Sequence, residues 1–261
     1  MPPFGSNSGA GGQSPTVKAL ARRGANAVLG RFGLQLTRVP TPTYEFEPRP
    51  ADKYRWLGEF GFRTVLDVGA HEGESAIEFH RLFPEATVHS FEPLPDTFAK
   101  LEKNLAGAPR QHCHRMALGD RAGTTTFHRS SYSPSSSLLE MTELHKTAYP
   151  FSAGSSVVDE IVLETLDSIA ARITFEPQIL LKVDTQGYEK QVFAGAERTL
   201  SLVKVIIVET SFAELYVGQV RFPEVYALLT ERGFEYRGAW NQFSSPKDGM
   251  PLQQDSIFVR R

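Results

Sequence analysis

A glycine-containing turn between a short apolar run and a helical segment is the first feature of the sequence that could bind a ligand. Residues 67–73 read Asp-Val-Gly-Ala-His-Glu-Gly, and such a turn brings backbone N–H groups close to a ligand at a helix N-terminus. Asp67 stands where a dinucleotide-binding turn has its first glycine, and Glu72 adds a second carboxylate. Two carboxylates repel a pyrophosphate and attract a ligand that carries an ammonium and a sulfonium. The charge pattern therefore favours S-adenosylmethionine over NAD.

The next apolar run ends in a glutamate, Glu92, which lies nineteen residues after Gly73. At this distance from the turn, a carboxylate can accept hydrogen bonds from both hydroxyls of a ribose. Phe91 or Pro93 could flank an adenine. The alternative interpretation is a plain turn glycine followed by a solvated glutamate.

Two further acids follow compact β-branched runs. Asp184 comes directly after residues 179–183, and Glu209 comes directly after residues 203–208. Methyl transfer to a hydroxyl requires alignment of donor and acceptor and a group that accepts one proton. Asp184 is the first candidate for that group and Glu209 the second. The alternatives are that Asp184 caps the helix predicted around Glu189, or that the two acids bind a divalent cation together.

Strand-like runs alternate with helical segments along most of the chain. The strand-like runs are residues 64–68, 87–91, 111–116, 124–128, 179–183, 203–208, 235–239 and 256–259. Helices are predicted to begin at Glu74 and Asp96, and a later one that carries Phe222 is predicted to end near Gly233. This alternation predicts an α/β domain with a mostly parallel sheet and right-handed crossovers. The ligand then lies beyond the carboxyl ends of the strands.

Composition and charge narrow the class of protein further. The 261 residues carry a formal net charge of −2, so no global positive field attracts nucleic acid or acidic membranes. The single cysteine, Cys113, excludes a disulfide within the chain and fits a reducing compartment. No apolar run approaches the roughly 20 residues of a spanning helix. These features predict a cytoplasmic protein.

The chain divides by composition into three parts. Residues 1–15 are rich in glycine, proline and serine and are predicted to be a disordered tail. Residues 16–50 contain a predicted basic helix and a proline-rich linker, and residues 16–32 could make a weak contact with a membrane or a partner. Packing of that helix on its own domain is the other interpretation. Residues 51–261 are predicted to form the main domain.

Six segments, in order, resemble the FkbM-type family of S-adenosylmethionine-dependent methyltransferases. They cover about residues 60 to 260 and read VLDVGAHEG, HSFEP, ALGD, LKVDTQGYEKQVFAGA, IIVETSFAELYVGQ and DSIFVRR. The resemblance implies a class I methyltransferase fold, which is Rossmann-like, with a seven-stranded, mostly parallel sheet, helices on both faces and an antiparallel last strand. It also implies O-methylation of a sugar, a secondary metabolite or another small hydroxylated acceptor.

The resemblance further implies roles for individual residues. By position, the residues that hold the methionine end would be Asp67, Gly69, Ala70, His71 and Gly73, with Glu92 at the ribose and Met116 and Ala117 at the adenine, which Pro93 could also flank. For the acceptor, the serine-rich segment 130–137 offers Ser136 and Ser137, and Tyr188 offers a stacking surface. A plain flexible loop and core packing are the respective alternatives.

Two rival functions are weighed against this one. A nucleic-acid methyltransferase is disfavoured because residues 184–187 read Asp-Thr-Gln-Gly and lack the Asn/Asp-Pro-Pro-Tyr/Phe signature that grips the amino group of a base. In favour of this rival, residues 1–44 hold five basic groups and no acid. A noncatalytic partner subunit would not need the ribose acid Glu92. The pair His112 and His114 could ligate a metal, but no third ligand is evident nearby, and we expect no metal site there. His128 and His145 are predicted to be surface side chains, and the alternative is that they face the acceptor.

Overall fold

The structure, a computed structural model, describes residues 54–261, apart from the side chains of residues 155–159. The predicted tail of residues 1–15 lies outside the described residues. The same is true of the predicted basic helix and linker at residues 16–50, and therefore of the proposed membrane or partner contact through residues 16–32. No helix within residues 54–261 is both long and apolar enough to span a membrane.

The described part of the chain forms one large and one small sheet. Its ten strands are β1 Thr64–Val68, β2 Thr87–Phe91, β3 Gln111–His114, β4 Ala117–Leu118, β5 Gly123–Ser130, β6 Ser155–Glu164, β7 Ile179–Val183, β8 Val203–Ser211, β9 Phe234–Ser244 and β10 Pro251–Arg260. The large sheet has seven strands in the order β3-β2-β1-β7-β8-β10-β9. Strands β3, β2, β1, β7 and β8 are parallel, and β10 runs antiparallel to both of its neighbours. The predicted seven-stranded, mostly parallel sheet with an antiparallel last strand is confirmed.

Helices cover both faces of this sheet. They are α1 Arg55–Gly58, α2 Glu74–Leu82, α3 Pro95–Asn104, α4 Glu143–Ala148, α5 Leu166–Ala170, α6 Glu189–Ala194, α7 Glu197–Leu200 and α8 Phe222–Glu231. Successive side chains of a strand point to opposite faces, so Leu66 of β1 packs in a core with Val192 of α6. Val65, the preceding residue, packs in a second core with Phe79 of α2. The two cores lie on opposite faces of the sheet, and helices pack on both faces as predicted.

A small second sheet, which the sequence did not indicate, lies between β3 and β7 in the chain. It has three strands in the order β4-β6-β5, with β4 parallel and β5 antiparallel to β6. The predicted third strand at residues 111–116 ends at His114, because Ala117 pairs with Leu163 of the small sheet instead. The strand predicted at residues 124–128 is β5, which is longer by a residue or two at each end.

Candidate active site

A cavity of about 620 Å³ opens at the carboxyl ends of the parallel strands. It is lined by residues that follow β1, β2 and β7, by Glu209 near the end of β8, by the serine-rich segment, by His145, Tyr149 and Phe151, and by the facing ends of β9 and β10. Eight of the residues predicted for the site line it: Gly69, Ala70, His71, Glu92, Pro93, Ser136, Asp184 and Glu209. The fold therefore brings together the predicted cofactor turn, the ribose acid and the two candidate catalytic acids.

The glycine turn after β1 is held tightly against the two neighbouring strands. The backbone N–H groups of Gly69 and Ala70 both donate to the carbonyl oxygen of Phe91, at 3.1 and 3.0 Å. Gly69 has φ +80°, and a Cβ at this position would lie 1.8 Å from the carbonyl oxygen of Asp184. Only glycine fits here, because the turn is in contact with the backbone at the end of β7.

Asp67 lies beneath this turn and does not line the cavity. Its side chain is fully buried, and neither of its oxygens has a hydrogen-bond partner among the described residues. Burial raises its pKa to about 6, against the opposing effect of Lys182, whose Nζ lies 3.9 Å away. Asp67 of β1 is directly opposite Lys182 of β7, so the two side chains share a face of the sheet. The predicted contact of Asp67 with the methionine end stays a prediction.

Glu72, the second acid of the turn, is turned outward. Its Oε1 accepts a hydrogen bond from Lys100 Nζ at 2.7 Å. The acids that line the cavity are Glu74, Glu92, Asp184 and Glu209, and burial disfavours the ionised forms of Glu92 and Glu209. Acidic side chains therefore line the site as expected, but Asp67 and Glu72 are not among them.

Glu92 is positioned by two backbone donors at the end of β2. Its Oε2 accepts from the N–H of His71 at 3.2 Å, and its Oε1 accepts from the N–H of Leu94 at 2.9 Å. Burial raises the pKa of this carboxyl to about 7, although the two N–H groups act in the opposite direction. Each carboxylate oxygen offers two lone pairs, so one on each oxygen is left for a ligand. Two adjacent ribose hydroxyls match this arrangement.

His71 connects the turn to the serine-rich segment. Its Nδ1 lies 3.3 Å from Glu74 Oε1, and its Nε2 lies 3.2 Å from Ser133 Oγ. The residue adopts φ +48°, a conformation that is uncommon for a side chain other than glycine. These contacts fix one wall of the cavity.

The two candidate catalytic acids are joined by one amide. Gln186 Nε2 donates to Asp184 Oδ1 at 2.8 Å and to Glu209 Oε2 at 2.9 Å, while its Oε1 accepts from the hydroxyl of Tyr216 at 2.7 Å. Lys182 Nζ donates to Asp184 Oδ2 at 3.1 Å. Asp184 and Glu209 therefore face the same point in the cavity, as expected for the ends of adjacent parallel strands.

The net effect of burial and neighbouring charges is to raise the pKa of both Glu209 and Lys182. Burial raises the pKa of Glu209 well above its ordinary value, and the neighbouring carboxylates of Asp184, Glu189 and Asp255 raise it further. Lys182 is also buried, which opposes its charge, yet the carboxylates of Asp184, Asp67 and Asp255 hold its pKa above the ordinary value. Asp184 is thus paired with an ammonium group, whereas the ionised form of Glu209 is disfavoured.

The alternative role for Asp184, capping of the following helix, is not observed. Helix α6 begins after Tyr188 without a side-chain cap. Glu189 instead stabilises the turn, because its Oε1 accepts from the N–H groups of Thr185 and Gly187, both at 3.0 Å. Asp184 is left to face the cavity.

Several residues predicted for the site lie outside its lining, namely Gly73, Met116, Ala117, Ser137 and Tyr188. Ala117 is taken into the small sheet, and Tyr188 packs with it and Leu94 in a hydrophobic cluster. Ser137 Oγ donates to the carbonyl oxygen of Gln186 at 2.7 Å, so it anchors the turn that carries the acid pair. The predicted contacts of Gly73 with the methionine end and of the other four residues with adenine or acceptor stay predictions.

Several residues that line the cavity were not predicted from the sequence, among them Lys182, Gln186 and Gln253. His145, predicted to lie on the surface, is buried and also lines the cavity. Gln186 lies in the turn directly after Asp184, so its position in the sequence could have indicated it. Its positive φ of +53° and its contacts depend on the tertiary structure.

The described residues contain no group of three or more His, Cys, Asp or Glu side chains arranged to hold a metal ion. At the acid pair, the positive charge comes from the ammonium group of Lys182. Away from the cavity, His112 and His114 lie on β3, where His89 of β2 stacks on His112 and hydrogen-bonds through Nδ1 to His114 Nε2 at 3.1 Å.

Comparison with known proteins identifies the family. Residues 67–236 match the family model described as the methyltransferase FkbM domain. The chain belongs to this family. As a member of the FkbM family it is a methyltransferase, and the resemblance seen in its six motifs is confirmed.

Relatives of this FkbM-domain methyltransferase include enzymes named for O-methylation. It is 29% identical to the 2-O-methyltransferase NoeI of Sinorhizobium fredii over 172 residues, which cover 64% of this chain and 70% of NoeI. It is 28% identical to the 31-O-demethyl-FK506 methyltransferase FkbM of Streptomyces tacrolimicus over 200 residues, which cover 66% of this chain and 72% of that protein.

Solved structures show more distant similarity. The 1,6-didemethyltoxoflavin-N1-methyltransferase of Burkholderia thailandensis, solved with S-adenosylhomocysteine, is 14% identical with a TM-score of 0.41, over 97% of this chain and 94% of that one.

Proposed function

We propose that this FkbM-domain protein transfers the methyl group of S-adenosylmethionine to a hydroxyl oxygen of a small acceptor such as a sugar or a secondary metabolite. One observation carries the proposal: a single cavity holds Glu92, with a free lone pair on each oxygen, together with the acid pair Asp184 and Glu209. The names of NoeI and FkbM, both O-methyltransferases, support the choice of oxygen as the atom that is methylated.

The chain's own residues divide the work of the reaction. Bound S-adenosylmethionine supplies an electrophilic methyl carbon, and its sulfur takes the electron pair of the bond that breaks. Glu92 would accept hydrogen bonds from the two ribose hydroxyls. Asp184 would take the proton of the acceptor hydroxyl as its oxygen is methylated. Protonated Glu209 would donate a hydrogen bond that orients the acceptor, and Lys182 stabilises the acid pair before and after proton transfer.

The rival function of nucleic-acid methylation finds little support in the site. The cavity is lined by four acidic side chains, and Lys182 is the only lysine or arginine among the described residues that line it. A polyphosphate backbone would be repelled by this arrangement. A noncatalytic role is disfavoured because a scaffold protein has no use for a carboxylate such as Glu92 at a ribose position.

The direct test measures cofactor binding and methyl transfer together. Isothermal titration with S-adenosylmethionine is expected to show binding, and labelled methyl is expected to pass to a member of a panel of glycans, nucleotides and small alcohols. We expect transfer to persist with a chelator present, because Lys182 provides the positive charge at the acid pair. No heat at millimolar cofactor would defeat the proposal, and label only on RNA or DNA would overturn the choice of acceptor. If magnesium restored activity lost to the chelator, Asp184 and Glu209 would be metal ligands.

Cofactor affinity is expected to fall as the pH drops below about 7, the pKa of Glu92 in the free enzyme. Ribose hydroxyls bind the ionised carboxylate more strongly than the protonated carboxyl, so the apparent affinity can fall by up to about tenfold per pH unit. Glu92→Ala is expected to weaken binding by roughly 1–3 kcal/mol, and Glu92→Gln to weaken it without the pH dependence.

Titration calorimetry with S-adenosylhomocysteine at several pH values checks this, because its neutral sulfur does not respond to the charge of the other acids. If Glu92→Gln kept the pH dependence of the parent protein, another group would be titrating and the ribose assignment would lose its support.

A further inference from the structure

Three residues that line the cavity each have a buried polar atom with no hydrogen-bond partner among the described residues. The atoms are Nδ1 of His145, the hydroxyl oxygen of Tyr149 and Nε2 of Gln253. His145 and Gln253 are the most buried of the three residues, with exposed fractions of 2% and 6%. Buried polar atoms are almost always paired in proteins, so unpaired atoms on side chains that line one cavity indicate ligand groups that complete them.

The hydrogen bonds around His145 define what its Nδ1 can do. Ser152 Oγ donates its single proton to the carbonyl oxygen of Tyr149 at 2.8 Å. At the contact of 2.9 Å between His145 Nε2 and Ser152 Oγ, the imidazole is therefore the donor. Nδ1 then carries a lone pair, and burial lowers the pKa of the ring to about 4, which keeps it neutral at pH 7. His145 offers an acceptor, whereas the amide nitrogen of Gln253 offers a donor.

Both residues lie beside the acid pair. Gln253 of β10 pairs with Ser211, and Asp255 pairs with Glu209; directly opposed residues share a face of the sheet, so Gln253 is on the same face as Glu209. On the other side, the ring of His145 lies 4.9 Å from that of Tyr216. The hydroxyl of Tyr216 in turn contacts Gln186, which bridges the two acids.

The outer wall of the cavity is aromatic. Tyr132, Phe151 and Phe243 all line it, and 47%, 58% and 44% of these side chains are exposed. The rings of Tyr132 and Phe151 meet edge to face with centroids 5.0 Å apart. Phe243 is the register partner of Gln253 on the neighbouring strand, so the apolar rim continues directly into the polar wall. Exposed aromatic rings provide flat surfaces against which the C–H face of a ring can pack.

The charge of the cavity distinguishes among acceptors that have hydroxyl groups. Lys182, the only lysine or arginine among the described lining residues, is engaged by Asp184. An anionic acceptor would meet the acidic side chains Glu74, Glu92 and Asp184 and find no free cation in the described wall. A phosphate or carboxylate also has no proton to donate to His145 Nδ1 when it is ionised, whereas a hydroxyl can both donate and accept.

We propose that His145, Gln253 and the rim of Tyr132, Phe151 and Phe243 form the acceptor subsite, and that it selects an uncharged polyhydroxylated ring over its anionic derivatives. One hydroxyl donates to His145 Nδ1, another accepts from Gln253 Nε2, and the ring packs on the rim. This assignment rests on the proposed function, since it places the acceptor next to the acid pair.

The test uses the full chain saturated with S-adenosylhomocysteine and measures binding of methyl glycosides of the neutral hexoses, hexose 6-phosphates and uronic acids by ligand-observed NMR. We expect at least one neutral glycoside to bind at least tenfold more tightly than its anionic counterparts. His145→Phe and Gln253→Leu are each expected to weaken that binding by tenfold or more. His145→Asn, whose side-chain oxygen stands close to the position of Nδ1, is expected to restore part of it.

Gln191→Leu is the matched control, because Gln191 Oε1 is also a buried atom with no partner among the described residues but lies outside the cavity lining. It is expected to leave glycoside affinity unchanged. Unaltered affinity for S-adenosylhomocysteine shows that each variant folds. Failure of the parent protein to bind S-adenosylhomocysteine would count against the proposed function. If the cofactor binds normally, any of three results would overturn the subsite alone. These are that no neutral glycoside binds, that the anionic ligands bind more tightly, or that the His145 and Gln253 variants keep the glycoside affinity of the parent protein.

Discussion

Replacing Asp184 with asparagine is expected to lower kcat by roughly 10²- to 10⁴-fold, the usual contribution of a positioned general base. Asparagine keeps the size of the side chain and can still contact Gln186, but it cannot take a proton from the acceptor. Affinity for S-adenosylhomocysteine is expected to change little, because Glu92 and the turn at Gly69 are untouched. Single-turnover methyl transfer with saturating acceptor measures the chemical step.

Glu209→Gln provides the contrast within the acid pair. Since burial and nearby carboxylates already favour protonated Glu209, the amide replaces one neutral donor with another, and kcat is expected to stay within about threefold, less than the worth of one hydrogen bond. If the two results were reversed, Glu209 would be the proton acceptor and Asp184 the orienting group. If Asp184→Asn retained full activity and Glu209→Gln did too, neither acid would take the proton.

Gly69→Ala is expected to lower the free energy of unfolding by about 3 kcal/mol and to abolish measurable cofactor binding. A Cβ would lie 1.8 Å from the carbonyl oxygen of Asp184, and the residue has φ +80°. Backbone strain and overpacking each contribute about 1–3 kcal/mol. Relief of the clash requires the turn to move away from β7, which also shifts His71, whose N–H group positions Glu92. Urea denaturation and titration calorimetry measure the two effects.

Gly58→Ala is the matched control for this substitution. Gly58 is the last residue of α1, has an ordinary φ and has no atom within 4 Å of an added Cβ. Alanine there is expected to be neutral or slightly stabilising. Equal stability of the two variants would show that the turn is not packed against the end of β7 as described.

The sequence by itself determined the order of the elements and the edge of the sheet where ligands bind. The strands at residues 64–68, 87–91 and 179–183 were predicted with the bounds that the structure has. Each is a short apolar run bounded by polar residues and turns, and that signal is local. Glu92, Asp184 and Glu209 were found for the same reason, since each directly follows such a run and parallel strands end at one edge.

Tertiary structure decided the features that depend on contacts between distant residues. The small sheet forms because Gly123 meets Leu163 and Ala117 pairs with the same strand, and a two-residue strand has too little local signal to be predicted. The burial of His145, the bridge that Gln186 makes between two acids and the pairing of Asp67 with Lys182 also follow from how separate elements pack. Residue type and spacing show which groups could take part in the reaction. Burial and neighbouring groups set the charge state of each group, and only the folded structure determines burial and neighbours.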